Sequence, residues 1–167
     1  PRISASGLAT QRSIPLAKAP SYIKPYCQRF PGIRDYMEAT KAQARQQGYV
    51  VTLFGRRLHF PRIASANASE RANNERAAIN APIQGAAADI IRRAMVRMDD
   101  ALAQARLSGK MLMQVHDELV FEVPDDEVAA TIDVVRRVMV DAPHPLVQLS
   151  VPLQVDATAA PNWDEAH

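Results

Sequence analysis

Cysteine is almost missing from this chain. With Cys27 alone, neither an intrachain disulfide nor a cysteine-built zinc site can form. That fits a reducing compartment and makes the cytoplasm the expected location. Aromatic residues are also scarce, at 5%, which leaves the core to aliphatic side chains with a contribution from methionine. No apolar run approaches the length of a membrane span and no signal peptide is legible, so no membrane partner is expected. Repeats and low-complexity linkers are lacking too, and no feature argues for an oligomer. Nor does charge of one sign dominate: 20 Lys and Arg stand against 18 Asp and Glu. The net figure hides pairing at Arg56-Arg57, Arg92-Arg93 and Arg136-Arg137. Such a distribution permits a nucleic-acid partner without demanding one.

What is present is 167 residues, 47% of them apolar, the size of one ordinary domain or of a piece of a larger one. The chain opens on Pro1 and not on methionine, as a fragment would. Residues 4–12 have the composition of a short helix, and 15–29 that of a helix broken by Pro20 and Pro25. A clearer helix is predicted over 31–47, opened by Pro31 and closed by Gly48. Two short strands should flank a turn at Gly55. A polar helix is expected over 69–80, stopping at Asn80 because Ala81 precedes Pro82. A second helix should run from Pro82 to about Leu107 with an apolar stripe of Ile83, Ala87, Ile90, Ile91, Ala94, Met95, Met98 and Leu102. Strands at 111–113 and 119–121 read as a hairpin, and Pro124-Asp125-Asp126-Glu127 opens another helix with acids at its positive end. Residues 151–155 read as a last strand. Helices on either side of a hairpin and a strand predict an α+β fold with an antiparallel sheet.

The chemistry concentrates at His116-Asp117-Glu118, a polar triplet at the expected hairpin tip between buried strands. Charge there is costly unless it has a task, and a rigid hairpin is a suitable floor for a divalent cation. A solvated turn is the competing reading, and turn chemistry alone leaves the two level. One hairpin offers too few oxygen ligands for Mg²⁺, which would need carboxylates from another element and substrate phosphates. Arg76, Asn80 and Gln84 recur every four residues. Taken alone they read first as an exposed polar helix; otherwise they are donors for the acceptors that every base pair presents in the minor groove. Arg56 and Arg57 follow a glycine turn and suit either solvent or phosphate.

Four stretches occur together in one family. QVHDELVFEV at 114–123 resembles the third conserved motif of the family A DNA polymerases, the bacterial DNA polymerase I group. ERAAINAPIQGAAADI at 75–90 resembles the helix pair beneath the primer–template in that family. TLFGRR at 52–57 resembles its T-x-x-G-R-R element, and PNWDEAH at 161–167 its carboxyl end. The match runs in order over essentially the whole chain.

The resemblance implies a right-hand polymerase, with residues 1–45 from the end of the fingers and 46–167 from the later palm. It implies a catalytic pair, Asp117 and Glu118. Asp117 would hold catalytic Mg²⁺, and Glu118 would support the site. His116, Arg76, Asn80 and Gln84 would touch the primer terminus or the minor groove near it, with Arg56 and Arg57 as further DNA contacts. Primer–template DNA and deoxynucleoside triphosphates are the implied partners. Within these 167 residues the family's first motif, DYSQIELR, does not occur, and neither does its nucleotide-binding helix. Ser6 stands where the family usually has Phe. The expectation is therefore a catalytic-domain fragment of a template-directed DNA polymerase, inactive alone. The alternative is a non-catalytic DNA-binding remnant of a truncated gene copy.

Overall fold

The computed structural model describes residues 25–26 and 28–166. The helix expected over 4–12, and most of the broken one over 15–29, fall outside the described residues. In chain order the elements are α1 (Pro31–Gln47), β1 (Tyr49–Val51), β2 (Arg57–His59), α2 (Ala68–Gln104), β3 (Lys110–Val115), β4 (Glu118–Glu122), a 3₁₀ turn (Asp125–Glu127), α3 (Val128–Val140) and α4 (Trp163–Ala166). The described strands form two two-stranded sheets, β1 with β2 and β3 with β4. No described helix is long and apolar enough to cross a membrane.

The chain divides into two compact units. The first comprises Pro1–Val50 and His59–Ile79. Within it α1 has the expected bounds: Pro31 occupies the first turn and Gly48 closes the helix at φ 74°, its N–H bonded to the Ala44 carbonyl. Thr40 and Ala44 are the buried residues of α1, both small enough to let another backbone approach closely. The Tyr36 hydroxyl donates to the Ile79 carbonyl at 2.8 Å, and Arg45 Nε donates to Glu75 at 3.1 Å. Asn67 caps α2 by accepting from the N–H groups of Ser69 (2.9 Å) and Glu70 (3.1 Å). The Glu70 carboxylate accepts from the Ser65 hydroxyl and from Arg62, which hold its pKa below the ordinary carboxylate value.

The second unit comprises Val51–Leu58 and Asn80–His167. Its core is Ala94, Met98 and Leu102 from α2, Val134, Val135 and Val138 from α3, and Ala142. Met111, Leu119 and Phe121 of the hairpin pack on that cluster. As the composition implies, this core is aliphatic with methionine at its centre. Two arginines of α2 satisfy carbonyls beyond the end of α3. Arg93 Nε donates to Ala142 at 2.7 Å, and Arg97 Nη2 donates to His144 at 2.7 Å. Those carbonyls lie in the turn that follows α3, where no ladder donor meets them, and the guanidinium N–H groups satisfy them instead.

Three expectations are corrected. Pro82 does not separate two helices, because α2 is one helix of 37 residues with the proline inside it. From outside the helix, Tyr36 and Arg56 brace this stretch by donating to the Ile79 and Gly85 carbonyls. The apolar stripe begins at Ile90 and not at Ile83, whose side chain is 64% exposed. Periodicity marks a face but cannot say how far a neighbour covers it. Residues 151–155 are not a strand. Burial still alternates there, but no ladder partner lies among the described residues, Pro152 removes a donor, and the Val155 carbonyl accepts from Arg136 Nε instead.

Helix α2 stops at Gln104, before the Leu107 expected from its stripe. Arg106 adopts φ 57°, and its N–H bonds to the Ala103 carbonyl while Leu107 N–H bonds to that of Leu102. This is a Schellman closure with arginine where glycine is usual. Arg106→Gly should raise stability by about 0.5–1 kcal/mol, because it relieves a left-handed residue that bears a side chain. Urea denaturation measures this, and an unchanged midpoint would argue against strain at the closure. Glu70 supplies a pH dependence. Its folded pKa is lowered, so its contribution is present above the ordinary carboxylate range and is lost as pH falls through the folded value. The Tm gap between the native chain and Glu70→Gln should be open at neutral pH and close in acid.

Candidate functional site

Strands β3 and β4 pair antiparallel, with Lys110 opposite Glu122, Gln114 opposite Leu119 and Val115 opposite Glu118. The connection is therefore two residues, His116 and Asp117, and Glu118 already belongs to the ladder. A register shift between Met111 and Met113 leaves Leu112 as an extra, exposed residue on β3. His116 has φ 54°, whereas Asp117 is not among the residues of positive φ. Of the two primed turns that suit a two-residue hairpin, that pattern matches type II′, where glycine is the usual first residue. Holding histidine there costs local strain, and such strain gathers at functional sites. The Gln114 side-chain amide donates to the His116 carbonyl at 2.8 Å, bracing the turn from within β3.

The turn presents its polar groups outward. His116, Asp117 and Glu118 are all exposed. Among the described residues, none donates to the Asp117 carboxylate. Hard carboxylate oxygens at a rigid turn fit a divalent cation chemically. Among the described residues, however, no group of three or more His, Cys, Asp or Glu is arranged to hold a metal ion.

Asn80 and Gln84 lie one helical turn apart on α2 in the second unit, and Gln84 is exposed. Arg76 is exposed on the part of α2 that belongs to the first unit, where its Nη2 donates to the Asn73 side chain. Arg56 and Arg57 follow Gly55, which turns the chain at φ 84°. Arg56 is exposed, yet its guanidinium is largely committed to bonds with other residues of the protein. Its Nε donates to Asp89 Oδ1 at 2.7 Å and its Nη2 to the Gly85 carbonyl at 2.9 Å.

Three residues of this neighbourhood had no role in the sequence reading. Thr52, buried at 4% exposure, donates from its hydroxyl to Asp89 Oδ2 at 2.7 Å. The Thr52 hydroxyl oxygen also accepts from the N–H groups of Phe54 (3.3 Å) and Arg56 (3.2 Å). Both oxygens of Asp89 are thereby occupied. Gly85 is the third, because a Cβ there would lie 2.6 Å from Thr52 Cγ2 and 3.0 Å from Leu58 Cδ1. Signals for these existed: a glycine inside a helix marks a close approach, and an acid in a helix interior asks for a partner. The partner itself was not legible, since Arg56 and Asp89 stand 33 residues apart.

Comparison with known proteins adds the family. The sequence profile of DNA polymerase family A matches residues 2–165. The chain is 59% identical over 167 residues to a DNA polymerase I of Rhizobium leguminosarum, covering 99% of this chain and 16% of that protein. Identity to a DNA polymerase I of Pseudomonas aeruginosa is 49% over 165 residues, covering 99% of this chain and 18% of that protein. This chain thus spans less than a fifth of these curated relatives. Among solved structures, the polymerase domain of Pol1 from M. smegmatis, in complex with DNA primer-template and dNTP, superposes with a TM-score of 0.89 at 44% identity. That match covers 98% of this chain and 28% of the other. An α+β arrangement of small antiparallel sheets and long helices is common to both, and this chain belongs to DNA polymerase family A.

Proposed function

We propose that this chain forms part of the primer-terminus region of a template-directed DNA polymerase, acting on primer–template DNA and deoxynucleoside triphosphates. The observation that carries the reading is the two-residue turn at His116-Asp117, an exposed carboxylate on a strained and braced hairpin. It occurs in a chain 44% identical to a polymerase domain solved with primer-template and dNTP. In this reading residues 1–45 belong to the fingers and 46–167 to the palm.

Asp117 contributes a metal-holding carboxylate, and Glu118 supports it from the first ladder position of β4. Family A polymerases use divalent metal ions, and Mg²⁺ suits an all-oxygen site. Bound there, the cations supply charge stabilisation to the attacking and leaving oxygens of nucleotidyl transfer. The chain's own residues orient the DNA. Gln84 and Asn80 donate from α2 to minor-groove acceptors, which are nearly independent of sequence, so the contact senses pair shape and not base identity. Arg76 and His116 add donors toward the primer terminus. Arg57 meets backbone phosphate, with the remaining Nη1 of Arg56 beside it.

Asp117→Ala, in a polymerase that carries this segment, should lower primer extension by about a hundredfold or more, as loss of a charge-stabilising group in the transition state does. Near-native kcat in that variant would remove Asp117 from the metal site. The 167 residues alone should not extend a primed template, because their described acids do not complete a metal site. Extension by this chain that Asp117→Ala abolishes would overturn that expectation. Duplex binding by the same chain should be weak and should fall steeply between low and moderate salt, since phosphate contacts release counterions. Anisotropy with labelled duplex at two salt concentrations checks this, and salt-independent binding would contradict it.

A further inference from the structure

The turn of α2 that carries Gln84 is, by composition, the weakest in the helix. Pro82 precedes Gln84 by two residues and Gly85 follows it directly, and these are the two poorest helix formers. A minor-groove donor placed between them needs its backbone held from outside. The structure supplies a clamp at that point. The Arg56 guanidinium bridges the Gly85 carbonyl and the Asp89 carboxylate, two groups one helical turn apart, at 2.9 and 2.7 Å. Asp89 is in turn fixed by the Thr52 hydroxyl at 2.7 Å, and that oxygen also accepts from the Arg56 N–H, which orients the arginine that returns to Asp89. Gly85 lets the 52–57 turn seat directly on the helix, since any Cβ would strike Thr52. The Asp89 side chain is 14% exposed, so its bonds compete little with water.

We propose that Asp89 is a positioning residue for Gln84: through Arg56 and Thr52 it locks the 82–86 backbone so that the Gln84 amide is aimed at the duplex minor groove. The inference rests on the reading of Gln84 as a minor-groove donor. It goes further in assigning Asp89 and Thr52, which touch no DNA in that reading, to the sensing of pair shape. It also explains why only one nitrogen of Arg56 remains for phosphate.

The test measures binding of the 167-residue chain, at low salt, to two duplexes. One has guanine at the primer end; the other has 3-deazaguanine, which lacks the minor-groove N3 acceptor but pairs normally. The native chain should bind the guanine duplex several-fold more tightly, and Gln84→Ala should bring that ratio to about one. Asp89→Ala should also bring the ratio to about one, and Asp89→Asn, which keeps an acceptor for Thr52, should restore part of it. A brace serving stability alone would lower Tm in Asp89→Ala and leave the ratio intact, which would overturn the proposal. If Gln84→Ala keeps the native ratio, the minor-groove reading fails and the inference falls with it, a result distinct from failure at Asp89 alone. Should Asp89→Ala not fold, Thr52→Val preserves shape while removing the hydroxyl. A native ratio in that variant would overturn the proposal, and a ratio near one would support it.

Discussion

Pro82 removes the N–H that would bond the Ala78 carbonyl, in the middle of a helix of 37 residues. Such a break costs about 3 kcal/mol, enough to end most helices. Helix α2 continues because each unit braces its own side of the defect. In the first, Tyr36 donates to the Ile79 carbonyl. Burial pushes the Tyr36 pKa up. In the second, Arg56 donates to the Gly85 carbonyl and ties it to Asp89. Each bond contributes a net gain of about 1 kcal/mol, somewhat more for the charged donor, to holding the helix on either side of the proline. The exposed Gln84 sits on the stretch braced by Arg56.

In the reading proposed for Asp117, the hairpin meets a different demand. A carboxylate that is to hold a cation must be exposed at its tip and rigid at its base. Met111, Leu119 and Phe121 anchor β3 and β4 on the aliphatic core, while the turn places His116 at positive φ and leaves Asp117 outward. The bulge at Leu112 bends β3 next to this site, in the position where such irregularities usually re-aim a strand. Packing below and strain above give an acid that is fixed without being buried, and so remains available to a charged partner.

Capping fixes the remaining geometry. Gly48 ends α1 in the usual way, Arg106 ends α2 at a cost in strain, and Arg93 and Arg97 from α2 satisfy the carbonyls that follow α3. The last of these links the two helices that enclose the core. The charge pairs in the sequence are therefore not equivalent. Arg93 is a structural donor, Arg56 is mostly one, and Arg57 belongs to the proposed DNA face.

Local chemistry settled what depends on a few adjacent residues. Pro31 and Gly48 bound α1, Gly55 turns the chain between β1 and β2, and the apolar runs around 114–118 make a hairpin with the acids at its end. The motif strings were enough to indicate the family, since they depend on residue identity and order alone. Tertiary structure decided everything that turns on distant partners. The sequence rule at Pro82 counts a lost hydrogen bond but cannot see Tyr36 and Arg56 bracing the helix from outside on either side of it. The 151–155 run has strand composition, yet a strand exists only where a second edge pairs with it. Asp89 gains its role from Arg56, 33 residues away, and only folding brings that guanidinium to the carboxylate.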